Sequence, residues 1–218
     1  MSPKSSRAEA RRTRAAIVEH GVRLASVEGL EGLTIGRLAA DLGMSKSGVL
    51  GHFGSKEGLQ LAVVDEAAEV FGREVAQRAD GTSPGLPRLL ALCSAWITYL
   101  DGDDVLPGGC FFTAAATEFD DREGPVRDAV TGLSTVWQHD LRRHVRLAVE
   151  AGELPGDTDA DQLVFELTGQ ALALHHARRL LRDAAAADRA RRAMARLLGH
   201  ALPSPDRAAP RRTPAAGR

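Results

Sequence analysis

Residues 34–59 read Thr34-Ile35-Gly36-Arg37-Leu38-Ala39-Ala40-Asp41-Leu42-Gly43-Met44-Ser45-Lys46-Ser47-Gly48-Val49-Leu50-Gly51-His52-Phe53-Gly54-Ser55-Lys56-Glu57-Gly58-Leu59. Three hydroxyl residues in this run stand just ahead of helical segments. Thr34 precedes Ile35, Leu38, Ala39 and Leu42; Ser45 precedes a very short segment; Ser55 precedes Leu59, Val63, Ala67 and Val70. A side-chain oxygen at such a position accepts from a free N–H of the first turn, so each is a predicted N-cap. Gly43 closes the first of these helices, and the Gly43-Met44-Ser45 turn allows the next to cross it steeply. Upstream, a helix over Glu9–Glu28 carries Ile17, Val18, Gly21, Leu24 and Ala25 on one face and stops at Gly29. Three short helices in this order form either a helix-turn-helix or a small orthogonal bundle with no role on DNA. Helical spacing alone leaves both open.

Helical periodicity also dominates the rest of the chain, and the predicted fold class is all-α. The fourth helix is expected to run from Ser55 towards Ala79, and a fifth from Leu86 to Leu100. The apolar run from Cys110 to Phe119 makes a sixth, and a long seventh carries Val126, Val130, Leu133, Trp137, Leu141, Val145 and Ala148. The last two are expected over Asp159–Asp183 and Ala186–Leu202. The expected organisation is a basic flexible arm over 1–8 and a helix-turn-helix domain over 9–54. A ligand-binding and dimerisation domain over 55–202 and a disordered Pro/Ala/Arg tail over 203–218 complete it.

Aromatic residues make up only 4% of the chain, so the core must come from Leu, Ala and Val. The net charge of −1 hides a division: residues 1–60 carry nine basic and six acidic side chains, residues 61–202 fifteen and twenty-two, and residues 203–218 four and one. A basic head and tail on an acidic body suit a polyanion-binding module joined to another function. Cys93 and Cys110 stand seventeen positions apart without CxxC or zinc-ligand spacing, and His175-His176 point to different faces of one helix, so neither a metal nor a disulfide is expected. No Gly-rich phosphate loop, GxSxG or HExxH motif is present, and no cofactor is expected. No apolar run approaches the ~20 residues of a membrane span, and none follows the basic N-terminus as a signal peptide would require. A cytoplasmic protein is expected.

The run from Thr34 to Leu59 resembles the DNA-binding signature of the TetR family of bacterial transcriptional regulators. The resemblance is close over residues 11–60 and beyond that extends only to helix count and order. It implies a regulator that binds double-stranded DNA at a palindromic operator as a homodimer, most often as a repressor released by a small-molecule effector. The DNA-binding residues it implies are Thr34, Ser45, Lys46, Ser47, Gly48, Leu50, His52 and Lys56, with Lys56 on a phosphate. Arg11, Arg12 and Arg14 add cations nearby. Phe53 suits an anchor beneath the recognition helix, and His52 suits either core or DNA. The family commonly has Tyr where this chain has Leu50. Leu50 cannot give a hydroxyl to phosphate, so either an apolar contact such as a thymine methyl replaces that bond or one phosphate contact is missing. Pro107-Gly108-Gly109-Cys110-Phe111-Phe112 also looks like a subgroup of these regulators.

For the body, the candidate ligand-binding residues are Trp96, Tyr99, Cys110, Phe112, Thr113, Thr117, Trp137 and Phe165, because aromatics with a few hydroxyls between helices make a typical cavity. Plain core is the alternative for each. Leu89–Leu100 and Cys110–Phe119 contain no Lys or Arg, so the expected effector is apolar and neutral or weakly cationic. Close pairing of the last two helices with their copies is expected through Gly169, Ala171, Ala173, Ala190 and Ala193. The rival functions are a helical enzyme and an adaptor that retains the helix-turn-helix without DNA.

Overall fold

The computed structural model describes residues 3–204, with side chains from Arg7 onward. Those residues form helices and connecting turns and contain no strand. The helices are α1 (Pro3–Glu28), α2 (Ile35–Asp41), α3 (Lys46–Phe53), α4 (Lys56–Phe71), α5 (Leu86–Asp101), α6 (Phe111–Phe119), α7 (Pro125–Glu150), α8 (Ala160–Arg179) and α9 (Ala186–Leu198). Helix α1 begins at Pro3, so the segment expected to be a separate arm is helical from that residue. The tail beyond Ser204 lies outside the described residues.

All three hydroxyl caps are in place. Thr34 Oγ1 accepts from the Arg37 N–H at 3.1 Å, Ser45 Oγ from Gly48 at 3.0 Å and Ser55 Oγ from Gly58 at 2.9 Å. Each such cap stabilises its helix by about 1 kcal/mol. Gly29 ends α1 with φ +84°.

Helix α4 packs on α1 in the head and on α7 in the body. It does not run regularly to Ala79: a π-helical turn over Gly72–Ala76 and a 3-10 turn over Gln77–Ala79 follow Phe71. The widened turn places the consecutive residues Glu74 and Val75 both inside. Helix α5 is the centre of the body, buried over most of its surface and packed against α7, α8 and α9. A helix apolar nearly all round must be enclosed in this way. One continuous core joins Ile17 and Leu38 in the head to Leu89, Leu141 and Met194 in the body. No helix among the described residues is long and apolar enough to cross a membrane.

Helices α8 and α9 pack side by side. Helix α9 buries Ala186, Ala190, Met194 and Leu198, one per turn. Ala171 and Ala190, expected at a contact between copies, face the protomer's own core. Gly169 and Ala173 are exposed and Ala193 is half-buried.

Candidate nucleic-acid interface and ligand cavity

Helix α3 buries Val49 against the head and turns Lys46, Ser47, Leu50 and Gly51 to solvent. These four lie at i, i+1, i+4 and i+5 and therefore share one face. Leu50 is 40% exposed, a large apolar side chain left outside on a helix that could have buried it. The Ser45 cap occupies one of the free N–H groups of α3, and the positive end of the helix dipole stays near the exposed Lys46. Ser47 Oγ lies 3.1 Å from Ser45 Oγ. Lys46 has no ion-pair partner among the described residues, and its stem passes over Gly36 of α2. Phe53 is half-buried with the Arg14 guanidinium 5.1 Å above its ring, and the His52 ring is tilted against it at 6.2 Å. His52 is half-buried and makes no hydrogen bond among the described residues.

Lys56 is not free. Its Nζ donates to the Glu31 backbone carbonyl at 2.7 Å and to the Glu31 carboxylate at 2.9 Å. The same carboxylate faces Arg122 of the α6–α7 connection at 3.3 Å. The hydrogen bond from Lys56, aided by Gln60 and the two positive charges, holds the Glu31 carboxyl below its ordinary range. Arg37, the other cation of this region, is committed to Asp41 at 3.0 Å and to Glu28 at 2.9 Å, which fastens α2 to α1.

In the body, the structure brings four of the eight candidate ligand residues together around one that the sequence did not single out. Phe71, at the end of α4, lies edge-on to Trp137 at 5.0 Å, Tyr99 at 5.5 Å and Phe112 at 6.3 Å, and Trp96 meets Trp137 at 5.2 Å. Phe71 follows Ala67 at i+4 on the apolar period of α4, which was the available signal. Cys110 is buried beside the Tyr99 hydroxyl. Cys93 is also buried, which pushes its thiol up to about 12.

The other three candidates lie apart. Thr117 is exposed and its hydroxyl donates to the Thr113 carbonyl one turn back, which uses it within α6. Thr113 is half-buried on the same helix. Phe165 is 74% exposed on the outer face of α8, because its position in the helical period points away from Leu163, Val164 and Leu167. The aromatic rings pack edge-on against one another. A cavity of about 740 Å³ lies beside them, between α1, α4 and α5, and of the eight candidates only Tyr99 lines it.

Residues 17–63 match the family model described as "Bacterial regulatory proteins, tetR family", and residues 85–194 match "Tetracyclin repressor-like, C-terminal domain". The chain belongs to the tetR family. No curated protein matches the sequence. A TetR transcriptional regulator from Chloroflexus aurantiacus J-10-FL is 27% identical, with a TM-score of 0.78 over 88% of this chain and 94% of that one. A putative transcriptional regulator from Saccharomonospora viridis, solved in complex with choline, is 21% identical with a TM-score of 0.73 over 87% and 97%. AibR in complex with isovaleryl coenzyme A and operator DNA is 22% identical with a TM-score of 0.61 over 74% and 85%.

In this TetR-family regulator with its DNA-binding helix-turn-helix, the segment Pro107–Phe112 has a visible task. It passes so close to the end of α1 that a Cβ on Gly108 would fall 1.6 Å from the Ser26 carbonyl oxygen. The Gly108 N–H donates to Ser26 Oγ at 3.1 Å, and Arg23 reaches the Val105 carbonyl at 3.3 Å. On its other side the loop is held by α8: Arg179 donates to Asp103 at 2.7 Å and to the carbonyls of Gly102 and Pro107, while Arg178 donates to Asp101 at 3.0 Å. The Glu31 N–H also donates to Glu118 of α6 at 2.9 Å. The head is thus tied to the body at the loop before α6 and at α6 itself.

Proposed function

We propose that this chain is a ligand-responsive transcriptional repressor that binds a palindromic operator as a homodimer and releases it when a small molecule binds the body. The observation that carries this reading is the exposed face of α3, where Lys46, Ser47, Leu50 and Gly51 face solvent with no ion-pair partner for the lysine among the described residues. Ser47 and Leu50 are placed to meet base edges, Lys46 to meet phosphate, and the close backbone at Gly48 and Gly51 lets the helix enter a major groove. Thr34 and Ser45 act through their helix ends, whose dipoles favour phosphate. Lys56 contributes a phosphate contact once it leaves Glu31, and His52 borders the same edge.

One recognition helix makes too few contacts for specificity, and a twofold pair placed about 34 Å apart doubles them. The dimer reading is supported by α8. Phe165, Leu172 and Leu180 are 74%, 51% and 69% exposed, and with Gly169 and His176 they trace one stripe along the helix. Leu181, 64% exposed, extends it into the following turn. An apolar stripe of this kind on a protomer marks a surface that a second copy covers. The protein is expected to act in the cytoplasm. Regulators of this fold take chemically different ligands, choline for the S. viridis protein and isovaleryl coenzyme A for AibR, so the effector must be argued from this chain's own cavity.

The test is a mobility shift on the DNA upstream of the protein's own gene over a range of salt. Tight binding to a palindrome, with log affinity falling linearly in log salt, is expected. Equal affinity for operator and scrambled duplex at every salt concentration would refute the reading.

A further inference from the structure

The cavity of about 740 Å³ is walled on one side by α1 of the head, through Glu19, Val22 and Arg23, and on the other by α5 and the loop after it, through Tyr99, Asp104 and Leu106. Its size suits a drug-sized molecule. The charges around it do not cancel. Arg73 pairs with Glu66 at 3.5 Å and Arg78 with Glu74 at 2.5 Å. Arg23 spends a guanidinium N–H on the Val105 carbonyl. The Glu19 and Asp104 carboxylates line the cavity with no cationic partner among the described residues. At the inner wall Tyr99 is 5% exposed, and its hydroxyl, beside the Cys110 thiol and the Phe111 N–H, makes no well-formed hydrogen bond among the described residues. A buried hydroxyl left unpaired costs free energy, and a group entering the cavity recovers it.

We propose that this cleft is the binding site of a small organic cation with an apolar body, its charged nitrogen held between Glu19 and Asp104 and a polar atom of the body reaching the Tyr99 hydroxyl. An anion would be repelled by two exposed carboxylates that no arginine among the described residues pairs, and a neutral molecule would gain nothing from them; a cation is attracted by both. Val22, Val70 and Leu106 supply apolar wall for the body of the ligand. Glu19 belongs to the head and Asp104 to the loop after α5, so a cation between them fixes the head relative to the body, and occupancy is read directly by the recognition helix. This effector role rests on the regulator reading, whereas the binding event itself does not.

Isothermal titration of the full chain with tryptamine, tryptophol and indole-3-propionate presents one indole body carrying a positive, no, or a negative charge. Tryptamine is expected to bind at least about tenfold more tightly than either of the others. The Glu19→Gln/Asp104→Asn double variant should lose about tenfold or more in tryptamine affinity while its melting temperature stays that of the parent. Tyr99→Phe should weaken tryptamine severalfold and keep the preference for positive charge. Equal or tighter binding of indole-3-propionate, unchanged tryptamine affinity in the double variant, or no heat from any of the three probes at millimolar concentration overturns the proposal. Operator binding by the same preparations without any probe reports on the regulator reading separately: carboxylate-dependent tryptamine binding by a protein that ignores DNA upholds the site and removes the effector role.

Discussion

Lys56 Nζ and the Glu31 carboxylate are 2.9 Å apart, and the same ammonium also holds the Glu31 carbonyl. A cation proposed for phosphate is thus paired with a carboxylate that also faces Arg122 from the body. On that proposal DNA and Glu31 compete for one charge. Glu31→Gln is expected to tighten operator binding severalfold and to steepen the log affinity against log salt slope by up to ~0.9, the worth of one phosphate contact. Lys56→Ala should lower that slope by a similar amount and weaken all sequences alike. Anisotropy titrations between low and moderate salt decide it, and an unchanged slope in both variants excludes the competition.

Leu50 stands in the open on α3 where the resemblance implies a tyrosine hydroxyl on phosphate. Leu50→Tyr should restore one neutral hydrogen bond of ~1 kcal/mol, tightening operator binding about fivefold. The thermal midpoint should not move, because the position is 40% exposed. Weaker binding by this variant on the same operator would show instead that the leucine makes an apolar base contact that the phenol cannot replace.

Phe165 lies on the uncovered stripe of α8, so Phe165→Glu perturbs no packing within the protomer. It should convert the proposed dimer to monomers and weaken operator binding by at least about tenfold, since one half-site remains for each molecule. Ala193→Glu on α9 should act in the same direction. Sedimentation velocity at micromolar concentration measures the first effect, and a monomeric parent protein would remove the dimer from the reading.

His144 is buried, with Nδ1 accepting from the Gly85 N–H at 3.3 Å. Burial, then the nearby Arg143 and Arg88, lower its pKa against the opposing pull of Asp140. His175 is lowered in the same way, by burial and Arg179. The unfolded chain therefore binds protons at these sites before the native one does, and stability falls as pH drops below the ordinary value of 6.5. The melting temperature should be flat above neutral pH and decline between about pH 6.5 and 5. His144→Gln, whose amide oxygen can still accept from Gly85, should flatten part of that decline. An acid limb identical in the variant would assign the loss to other groups.

Gly108 has no room for a side chain, because its Cβ would meet the backbone of Ser26 and Val27. Gly108→Ala must push the loop off α1 and break the Gly108–Ser26 hydrogen bond, at a cost of roughly 1–3 kcal/mol. A lowered melting temperature with an altered operator affinity is expected. An unaltered affinity would mean that the position of this loop does not reach the recognition helix.

The parts of the molecule legible in the sequence are those decided within a few residues. Thr34, Ser45 and Ser55 cap their helices because the oxygen and the N–H it binds are three positions apart in the chain. The apolar period of the longer helices likewise announced which face would be buried, and the all-α order followed. The aromatic cluster was legible as composition, since Trp96, Tyr99, Phe112 and Trp137 all lie on helices of the body. That they would close around Phe71 was a matter of tertiary packing. Phe165 shows the limit of a compositional signal: an aromatic on an apolar helix reads alike whether it faces the core, a ligand or a second copy, and only the rotation of α8 against its neighbours turned it outward.

The sequence by itself therefore determined the helical order and the hydroxyl caps, because these rest on contacts a turn apart along the chain. Tertiary structure alone decided that Lys56 meets Glu31 across twenty-five positions, that Gly108 packs on Ser26 across eighty-two, and that a cavity opens beside Tyr99 with one wall from the head and one from the body. No local pattern encodes those meetings, since each depends on how whole helices stack once their apolar faces are buried together.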